Sequence, residues 1–599
     1  MPLKYLFGPV DAAYADDNLS APRAAGNCLT FNSEGNLDLT IGWGEHWDDV
    51  SKRLPAGWTP DFIALFLPFT AVPDLFWSAP VPLVGLAGDW HLLWHQYRFA
   101  LPLCDLVFSD SRGVEAFRQA GILAETGNLF GCARPFLAPA PCHRRDIDVL
   151  YVGSLHPAEQ RERLLWLRRA ILAAGARWHF VIRTAASRRE YLELLGRSRI
   201  LFNRSVRGEC NLRVFEAAAT GALLFQEAEN AEVQRYLCGG LECVFYDEDT
   251  LEPLLQHYLE NEEERSRIAA AAKRKVAMFS FEKLWADIVQ KVERRLEDLC
   301  DRASQRSAKA LSVSLAGRSW ESLNSSTRVA PDGDLERRLI GELHRRLEGK
   351  PRAEHYNLLG LALARKGERV GDFNQSCTAA AAAQFRRAVD MAPGNALFRL
   401  NLAESLWRMS SATEAARECR QALAALDFAP ESGREDFSGG HFPPAFDSFR
   451  IEWEKAAWSH PSDREAEFGS KVRLLRWRLH SILGALTGEL EHYRCGARLC
   501  DDLWVSHAAL GRALLRAGEA SQAKAATALT QAAYHLRRAH ELSPFDDSLA
   551  DDLMRALRLS NDLEGQRQLA AEQQLLKRAA GVNPPAEVRF AQEVMGAVW

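Results

Sequence analysis

An arginine and a glutamate stand three positions apart, at Arg213 and Glu216, in a stretch predicted to be helical. A helix that begins near Asn211 and ends at Gly221 places both side chains on one face, because residues three apart are neighbours on a helix surface. A cation there can hold phosphate oxygens, and a carboxylate can accept two hydroxyl hydrogens at once. The alternative is a surface ion pair, which contributes only about 0.2–0.5 kcal/mol.

A glycine-containing turn, Gly153-Ser154, follows a predicted strand and leads into a predicted helix. Backbone amides at a helix N-terminus, together with the helix dipole, favour anions such as a diphosphate. The turn is therefore a candidate anion site. A glycine needed only for a tight strand-to-helix turn explains the same residues equally well.

Asp89 and His91 follow the apolar run Leu83–Ala87, which predicts a buried strand, and His95 lies one turn further along. Ligands of parallel sheets bind at the carboxyl ends of the strands. His91 could accept a proton there with Asp89 orienting it, or Asp89 could act directly. A second Trp- and His-containing cluster, residues 42–46, could line the acceptor side of a site. Segments of this composition also serve simply to pack domains together.

Asp247, Glu248 and Asp249 form a D-x-D pattern, which in other proteins can bind a divalent cation. Here the pattern precedes Thr250 and Leu251, where acidic residues suit the N-terminus of a helix. We interpret it as helix capping and predict no metal requirement.

The chain has 599 residues, and single cores stop growing at roughly 250–300 residues, so several domains are expected. The net charge is −5 and no dense basic block occurs, which argues against a nucleic-acid partner. No apolar segment approaches the roughly 20 residues that a membrane span requires. The 12 cysteines show no C-x-x-C spacing, and we interpret them as reduced thiols of a cytoplasmic protein.

Two parts of the chain, residues 1–145 and 146–298, alternate short apolar runs with helical patterns. Strands that alternate with helices predict right-handed βαβ crossovers and a parallel sheet. We therefore predict two Rossmann-like α/β domains, which would place the candidate residues at the carboxyl ends of strands. An all-α region follows them.

The remaining chain is divided by composition. Residues 299–340 are rich in Ser, Arg, Ala and Asn, lose apolar periodicity and are predicted to be a linker. Residues 341–430 and 501–599 carry repeated helical patterns, and residues 431–500, rich in Trp, Arg and Glu, are predicted to be a helical insertion.

The helical patterns share a spacing. Gly360 precedes Pro393 by the same number of residues as Gly511 precedes Pro544, with small residues at helical intervals between them. Small residues let antiparallel helices approach closely, and a proline ends each hairpin. This pattern resembles the tetratricopeptide repeat, whose surfaces usually bind peptides or proteins.

The segment from Asn203 to Gly221 resembles the C-terminal domain of GT-B glycosyltransferases, particularly the group-1 and CgeB-like spore-maturation branch. The pattern Arg-x-Phe-Glu-Ala-x-Ala-x-Gly is matched by Arg213, Phe215, Glu216, Ala217, Ala219 and Gly221. A weaker likeness extends over residues 1–298.

This resemblance implies a nucleoside-diphosphate-sugar as donor co-substrate and no other cofactor. It implies that Glu216 holds the ribose, while Gly153, Arg183 and Arg213 lie near the diphosphate. Ser154 and Asn203 are expected in the same donor site.

Glu209 departs from the family pattern. Many retaining members carry two glutamates separated by seven residues, whereas Glu209 and Glu216 are separated by six. Glu209 is therefore kept as a candidate catalytic residue and the stereochemistry of transfer stays open. An inverting transfer would instead need a general base near the acceptor hydroxyl, for which Asp89 and His91 are the candidates.

Several functions remain open at this stage. The helical repeats could present a protein acceptor, or they could dock an enzyme of polysaccharide or lipid-linked glycan synthesis in an assembly. A binding scaffold whose α/β domains have lost catalysis is a further alternative, and an epimerase on the same fold is the last.

Overall fold

The computed structural model describes residues 2–138, 144–184, 187–309, 334–370, 375–428, 448–459, 464–520 and 525–581. Two parallel sheets with their helices occupy the first half of the chain, and the described residues of the second half are largely helical, which confirms the predicted fold class.

The first sheet has seven parallel strands in the order β3-β2-β1-β4-β5-β6-β7. Its central strands are apolar and buried on both faces, as parallel strands covered by helices require. The strands are β1 Tyr5–Gly8, β2 Cys28–Asn32, β3 Leu39–Thr40, β4 Phe62–Phe66, β5 Leu83–Leu86, β6 Leu106–Ser109 and β7 Ala124–Thr126. The helices between them are α1 Ala12–Asn18, α2 Ser20–Ala24, α3 Trp47–Ser51, α4 Trp90–Ala100 and α5 Ser111–Gln119.

The second sheet has five parallel strands in the order β12-β11-β10-β8-β9. The order reverses beside β8, so β8 and β10 are neighbours whose following helices cover opposite faces, and ligands of doubly wound sheets bind outside the carboxyl ends of such a pair. The strands are β8 Ile147–Val152, β9 Phe180–Arg183, β10 Ser198–Phe202, β11 Leu223–Glu227 and β12 Val244–Tyr246. The helices are α6 Arg134–Leu137, α7 Pro157–Ala174, α8 Arg188–Arg197, α9 Leu212–Thr220, α10 Ala231–Gln234, α11 Leu251–Glu260, α12 Glu262–Val276 and α13 Phe281–Glu293.

The chain divides into two compact units. One unit comprises Met1–Leu129 and Trp285–Thr487, and the other comprises Phe130–Leu284 and Gly488–Trp599. Each unit therefore combines one parallel sheet with part of the helical region, and the chain passes from the second unit to the first within α13.

The predicted linker contains two helices. Helix α14, Leu296–Lys309, buries Leu299 and Ala303, and Arg306 forms a buried ion pair with Asp105, which lies just before β6. Helix α15, Asp334–Gly349, begins where the described residues resume. Both ends of the predicted linker, residues 299–340, are therefore helical.

Helical hairpins complete the first unit. Gly360 lies against Phe385, and an added β-carbon would meet that ring at 2.5 Å, so this glycine allows the two helices to approach. Part of the predicted insertion, residues 431–500, packs against these hairpins, since Arg478 pairs with buried Glu404 at 2.6 Å. These helices are α16 Ala353–Val370, α17 Ser376–Met391, α18 Ala396–Arg408, α19 Ala412–Phe428, α20 Ser448–Ser459 and α21 Arg464–Thr487.

The second unit ends in further hairpins that share its core. Leu576 and Ala579 pack with the strands of the second sheet, and Arg168 of α7 forms a two-pronged ion pair with Glu572 at 2.6 and 2.8 Å. These helices are α22 Leu490–Leu499, α23 Trp504–Ala520, α24 Ala525–Leu542, α25 Asp547–Leu559 and α26 Leu563–Ala580. Among the described helices, none is long and apolar enough to span a membrane.

Candidate functional site

Arg213 joins the carboxyl ends of the two strands at the switch point. Its Nε donates to Asn203 Oδ1 at 2.8 Å just after β10, and its Nη1 donates to the Val152 carbonyl at 3.1 Å at the end of β8. Asn203 is fully buried and donates from Nδ2 to Gln226 Oε1 at 2.7 Å. The guanidinium is therefore fixed at the edge where doubly wound sheets bind ligands.

Gly153 provides space beside that guanidinium. A β-carbon on Gly153, whose φ is 157°, would lie 2.7 Å from the Tyr151 hydroxyl and 3.0 Å from Arg213 Nη1. Its amide donates to the Arg183 carbonyl at 2.9 Å, so this N–H belongs to the sheet. The glycine is needed for the close approach of two side chains, and its amide is already committed to a hydrogen bond within the protein.

Ser154 completes the turn with contacts inside the protein. Its Oγ accepts a hydrogen bond from the His156 amide at 3.1 Å, and its carbonyl accepts one from the Tyr151 hydroxyl at 3.0 Å. Helix α7 then begins at Pro157. The turn precedes a helix N-terminus at the switch point, as the sequence predicts.

Arg183 is the last residue of β9 and is partly exposed. Its Nη1 donates to the Ile182 carbonyl at 2.8 Å. Helix α26 ends beside it, since a β-carbon on Gly581 would lie 3.9 Å from that nitrogen. A second cation therefore stands at the same edge of the sheet as Arg213.

Glu216 lies in the middle of α9 and is 6% exposed. The Tyr191 hydroxyl of α8 donates to its Oε2 at 2.7 Å. Burial raises the pKa of Glu216 to about 7, against the opposing effects of the Tyr191 hydrogen bond and of Arg213. Gly221 ends the helix in the left-handed conformation, with φ 76°, as the sequence predicts.

The loop between β10 and α9 is held by Glu209. This residue is 5% exposed, and its two carboxylate oxygens accept hydrogen bonds from the amides of Val206 and Arg207 at 2.9 and 3.0 Å. Glu227, at the end of β11, accepts from the Ser205 amide at 3.1 Å, and burial raises its pKa. Glu209 therefore holds the backbone of the loop that precedes α9.

Two further arginines lie at this edge, and the sequence did not single them out. Arg163 of α7 is 4% exposed and donates from Nε to the Arg204 carbonyl at 2.7 Å. The Arg204 guanidinium stacks over the Trp166 ring at 4.6 Å and pairs with Glu229 at 2.6 Å. Arg163 is nine residues from its nearest motif, Gly153-Ser154, and no local pattern marks it.

Asp89 and His91 lie at the carboxyl end of β5 in the first unit. Asp89 is partly exposed and immediately precedes α4 in a left-handed conformation, with φ 49°. His91 is 2% exposed, and its ring meets the Trp90 ring edge-on at a centroid distance of 5.7 Å. Asp89 is the more accessible of the two candidates. The side chain of His95 lies outside the described residues.

The two other candidate segments have structural contacts. In residues 42–46, the Trp43 carbonyl accepts a hydrogen bond from Arg338 of α15, and Glu45 pairs with Arg53. Asp247 Oδ1 accepts hydrogen bonds from the amides of Asp249 and Thr250 at 3.1 and 3.0 Å, just before α11. Within the described ranges, no three His, Cys, Asp or Glu side chains are grouped so as to hold a metal ion.

Residues 144–290 match the model of a family described as glycosyl transferase-like. The matched stretch is about a quarter of the chain, and it runs from β8 into α13, so it contains Arg183, Asn203, Arg213 and Glu216. No curated protein matches the chain.

Comparison with solved structures finds similarities of low score. HepE of Anabaena in complex with UDP-glucose is 14% identical over 49% of this chain and 100% of its own, with a TM-score of 0.36. Sucrose-phosphate synthase from Thermosynechococcus elongatus is 14% identical over 50% and 100%, with a TM-score of 0.34. The pneumococcal O-GlcNAc transferase GtfA in complex with UDP and GlcNAc is 10% identical over 40% and 56%, with a TM-score of 0.29.

Proposed function

We propose that this protein is a glycosyltransferase that moves a sugar from a nucleoside-diphosphate-sugar to an acceptor hydroxyl. The observation that carries the proposal is a set of side chains at one sheet edge. Arg183 ends β9, Arg213 bridges β8 and β10, and Glu216 lies three residues after Arg213 in α9. The family match of residues 144–290 covers this set.

Each part of such a donor has a chemical counterpart there. Two guanidinium groups can hold diphosphate oxygens through charge-assisted hydrogen bonds. A buried carboxylate can accept hydrogen bonds from ribose hydroxyls, which compensates the burial of its charge. Positive charge at the diphosphate also stabilises the nucleoside diphosphate as it leaves. We propose that Arg183 and Arg213 provide this charge and that transfer needs no divalent cation.

The acceptor side is proposed from the first unit. Asp89 follows β5 at the carboxyl edge of the first sheet, and its partial exposure suits a general base that takes the proton of an acceptor hydroxyl. This assignment applies to an inverting transfer. Because both oxygens of Glu209 hold loop amides, we assign Glu209 to shaping the donor loop.

We further propose that the helical hairpins bind a protein that is the acceptor or positions it. The close glycine contacts support this proposal, since Gly360 packs on Phe385 and Gly511 packs on Leu536 in the way that paired helices of a repeat do. Docking in an assembly that makes polysaccharide or lipid-linked glycan is the alternative. A non-catalytic scaffold is the second alternative.

The test is a thermal-shift panel of UDP-, GDP-, dTDP- and ADP-sugars, with and without EDTA, followed by an assay for donor hydrolysis. A ligand that binds the native state at about 100 times its Kd stabilises it by about 2.7 kcal/mol. One donor that raises Tm equally in EDTA and is turned over supports a metal-independent transferase. If no nucleotide-sugar raises Tm and none is turned over, the non-catalytic scaffold is favoured.

A further inference from the structure

Glu216 has an unusual environment for a carboxylate. It is 6% exposed, and Tyr191 donates to only one of its oxygens, Oε2, at 2.7 Å. Among the described residues, no group donates a hydrogen bond to Oε1. A buried carboxylate with one hydrogen bond is poorly compensated, because removing such a charge from water is costly unless it is fully hydrogen-bonded.

Tyr191 is itself fixed. It lies in α8, on the chain segment that follows β9, and its ring meets the Phe136 ring edge-on at a centroid distance of 5.9 Å. A hydroxyl held in this way selects one orientation of the carboxylate and leaves the other oxygen available to an incoming donor group.

We propose that Tyr191 is a positioning residue, which orients Glu216 so that the carboxylate accepts the hydroxyls of a ribose, and that donor binding is thereby linked to the protonation of Glu216. This inference rests on the proposed function, because it takes the ligand of this site to be a ribonucleoside-diphosphate-sugar. The chain's selectivity for ribose over 2′-deoxyribose follows from the same contact, since a deoxyribose lacks one of the two donor hydroxyls.

The groups that face Glu216 are few. Tyr191 comes from α8 and Arg213 from its own helix, and Cys132, on the segment before α6, is close enough that Glu216 adds to the raised pKa of its thiol. Lysine and arginine side chains from α12 and from the segment before β8 approach the far end of α9 instead. There Lys273 lies near Gly221, and Arg145 donates to the Thr220 carbonyl.

The direction of the pH dependence follows from this geometry. Ribose hydroxyls donate hydrogen bonds, so the donor binds the ionised carboxylate. Burial raises the pKa of Glu216 to about 7, so affinity is highest above that pH and falls as protonation increases below it. The Tyr191 hydroxyl favours the ionised form, and its loss therefore raises the pKa of Glu216 further and moves the affinity profile to higher pH.

The experiment is calorimetric titration of UDP-glucose, GDP-mannose and ADP-glucose into the full chain at half-unit steps from pH 5.5 to 8.5. The diphosphate of these donors is esterified at both ends and does not titrate in this range. The variants are Tyr191→Phe, which keeps the ring against Phe136, Glu216→Gln and a control, Tyr258→Phe. Tyr258 is a buried tyrosine of α11 that packs on Phe225 in the same α/β domain.

The expected results test separately the link between donor binding and Glu216 protonation and the role of Tyr191 in orienting Glu216. The wild type and Tyr258→Phe lose about tenfold in affinity between pH 8 and pH 6, as one titrating carboxylate near pH 7 requires. Tyr191→Phe binds about fivefold more weakly at pH 7 and regains affinity by pH 8.5, because its midpoint has risen by about one unit. Glu216→Gln binds weakly at every pH and discriminates less between UDP-glucose and its 2′-deoxyribose analogue.

Failure of each claim looks different. If no donor binds the wild type, the proposed function is wrong. If a donor binds the wild type and Glu216→Gln equally, the site assignment is wrong. If Glu216→Gln is weak but the profile of folded Tyr191→Phe superimposes on that of the wild type, the role of Tyr191 is overturned while the proposed function stands.

Discussion

The carboxyl edges of the two sheets differ in how they hold their polar side chains. At the second sheet, Arg213 is tied to two strands and Glu216 to a neighbouring helix by hydrogen bonds of 2.7 to 3.1 Å. At the first sheet, Asp89 occupies a left-handed position before α4, and His91 is buried beside Trp90. One edge is a network of charged groups, and at the other the partly exposed carboxylates of Asp89 and Asp110 stand beside Trp90, whose ring N–H donates to Asp110 at 3.2 Å.

This difference indicates a division of labour. A polyanionic donor needs several fixed charges, since charge-assisted hydrogen bonds are directional and their strength depends on preorganisation. An acceptor hydroxyl needs one group that can take a proton. The following changes test whether the two edges have these separate roles.

The largest effect is expected at the first edge. Asp89→Asn should lower kcat about 100-fold, because loss of a general base typically removes 10²–10⁴-fold, while donor affinity stays unchanged. Steady-state kinetics with calorimetry for the donor checks this. His91→Gln is the comparison, and we expect it to lower Tm through its 2% exposed position while kcat of the folded protein changes little. If His91→Gln lowers kcat about 100-fold and Asp89→Asn changes it little, His91 is the base.

At the second edge, Glu216→Ala should weaken donor binding by about 10- to 100-fold, because hydrogen bonds to charged groups are each worth about 1.5–3 kcal/mol. Removing a poorly compensated buried carboxylate should leave Tm unchanged or raised. Calorimetric titration and a thermal melt measure the two quantities. Unchanged affinity in a folded variant would remove Glu216 from the donor site.

Arg183→Ala should weaken donor binding about tenfold and make binding less sensitive to salt, because a phosphate contact is lost. Arg177→Ala is the matched control, since Arg177 lies just before β9, is 64% exposed in its side chain and pairs with Glu260. Titrations at low and high salt distinguish the two variants. If both variants weaken donor binding equally, Arg183 acts by general charge attraction and does not contact the phosphate.

The smallest effect is expected in the helical hairpins, where each unit has a glycine packed against a large side chain of the facing helix. Gly360→Ala and Gly511→Ala should each destabilise their unit by about 1–3 kcal/mol, because the added β-carbon would meet Phe385 or Leu536 at 2.5 or 2.7 Å. Gly341→Ala is the control, since nothing lies within 4 Å of its β-carbon, and we expect it to be neutral or stabilising. Thermal melts measure all three, and a stable Gly360→Ala would contradict close helix packing there.

Much of the donor edge could be predicted from local sequence. The helix from Asn211 to Gly221 has a start, an apolar face and a glycine stop in one short stretch, and α9 runs from Leu212 to Thr220. Strands such as β5 were predicted because buried parallel strands are continuous apolar runs. Strand β2 was missed because Thr30 and Asn32 interrupt its apolar pattern.

Long-range partners could not be predicted. Tyr191 is 25 residues from Glu216 in the chain, and Arg163 is 41 residues from the Arg204 carbonyl that it contacts. Neither residue belongs to a local pattern, since each is placed by the order of the strands. The packing of α26 on the second sheet is a more distant case, because Glu572 is 404 residues from Arg168.

The most direct test of the account is a crystal structure of the chain with the donor that the thermal-shift panel identifies. We expect a ribose hydroxyl within hydrogen-bond distance of the Glu216 carboxylate, and the diphosphate in contact with Arg183 and Arg213. A nucleotide bound at the first sheet or among the helical hairpins, with Glu216 contacting only Tyr191, would contradict the central claim.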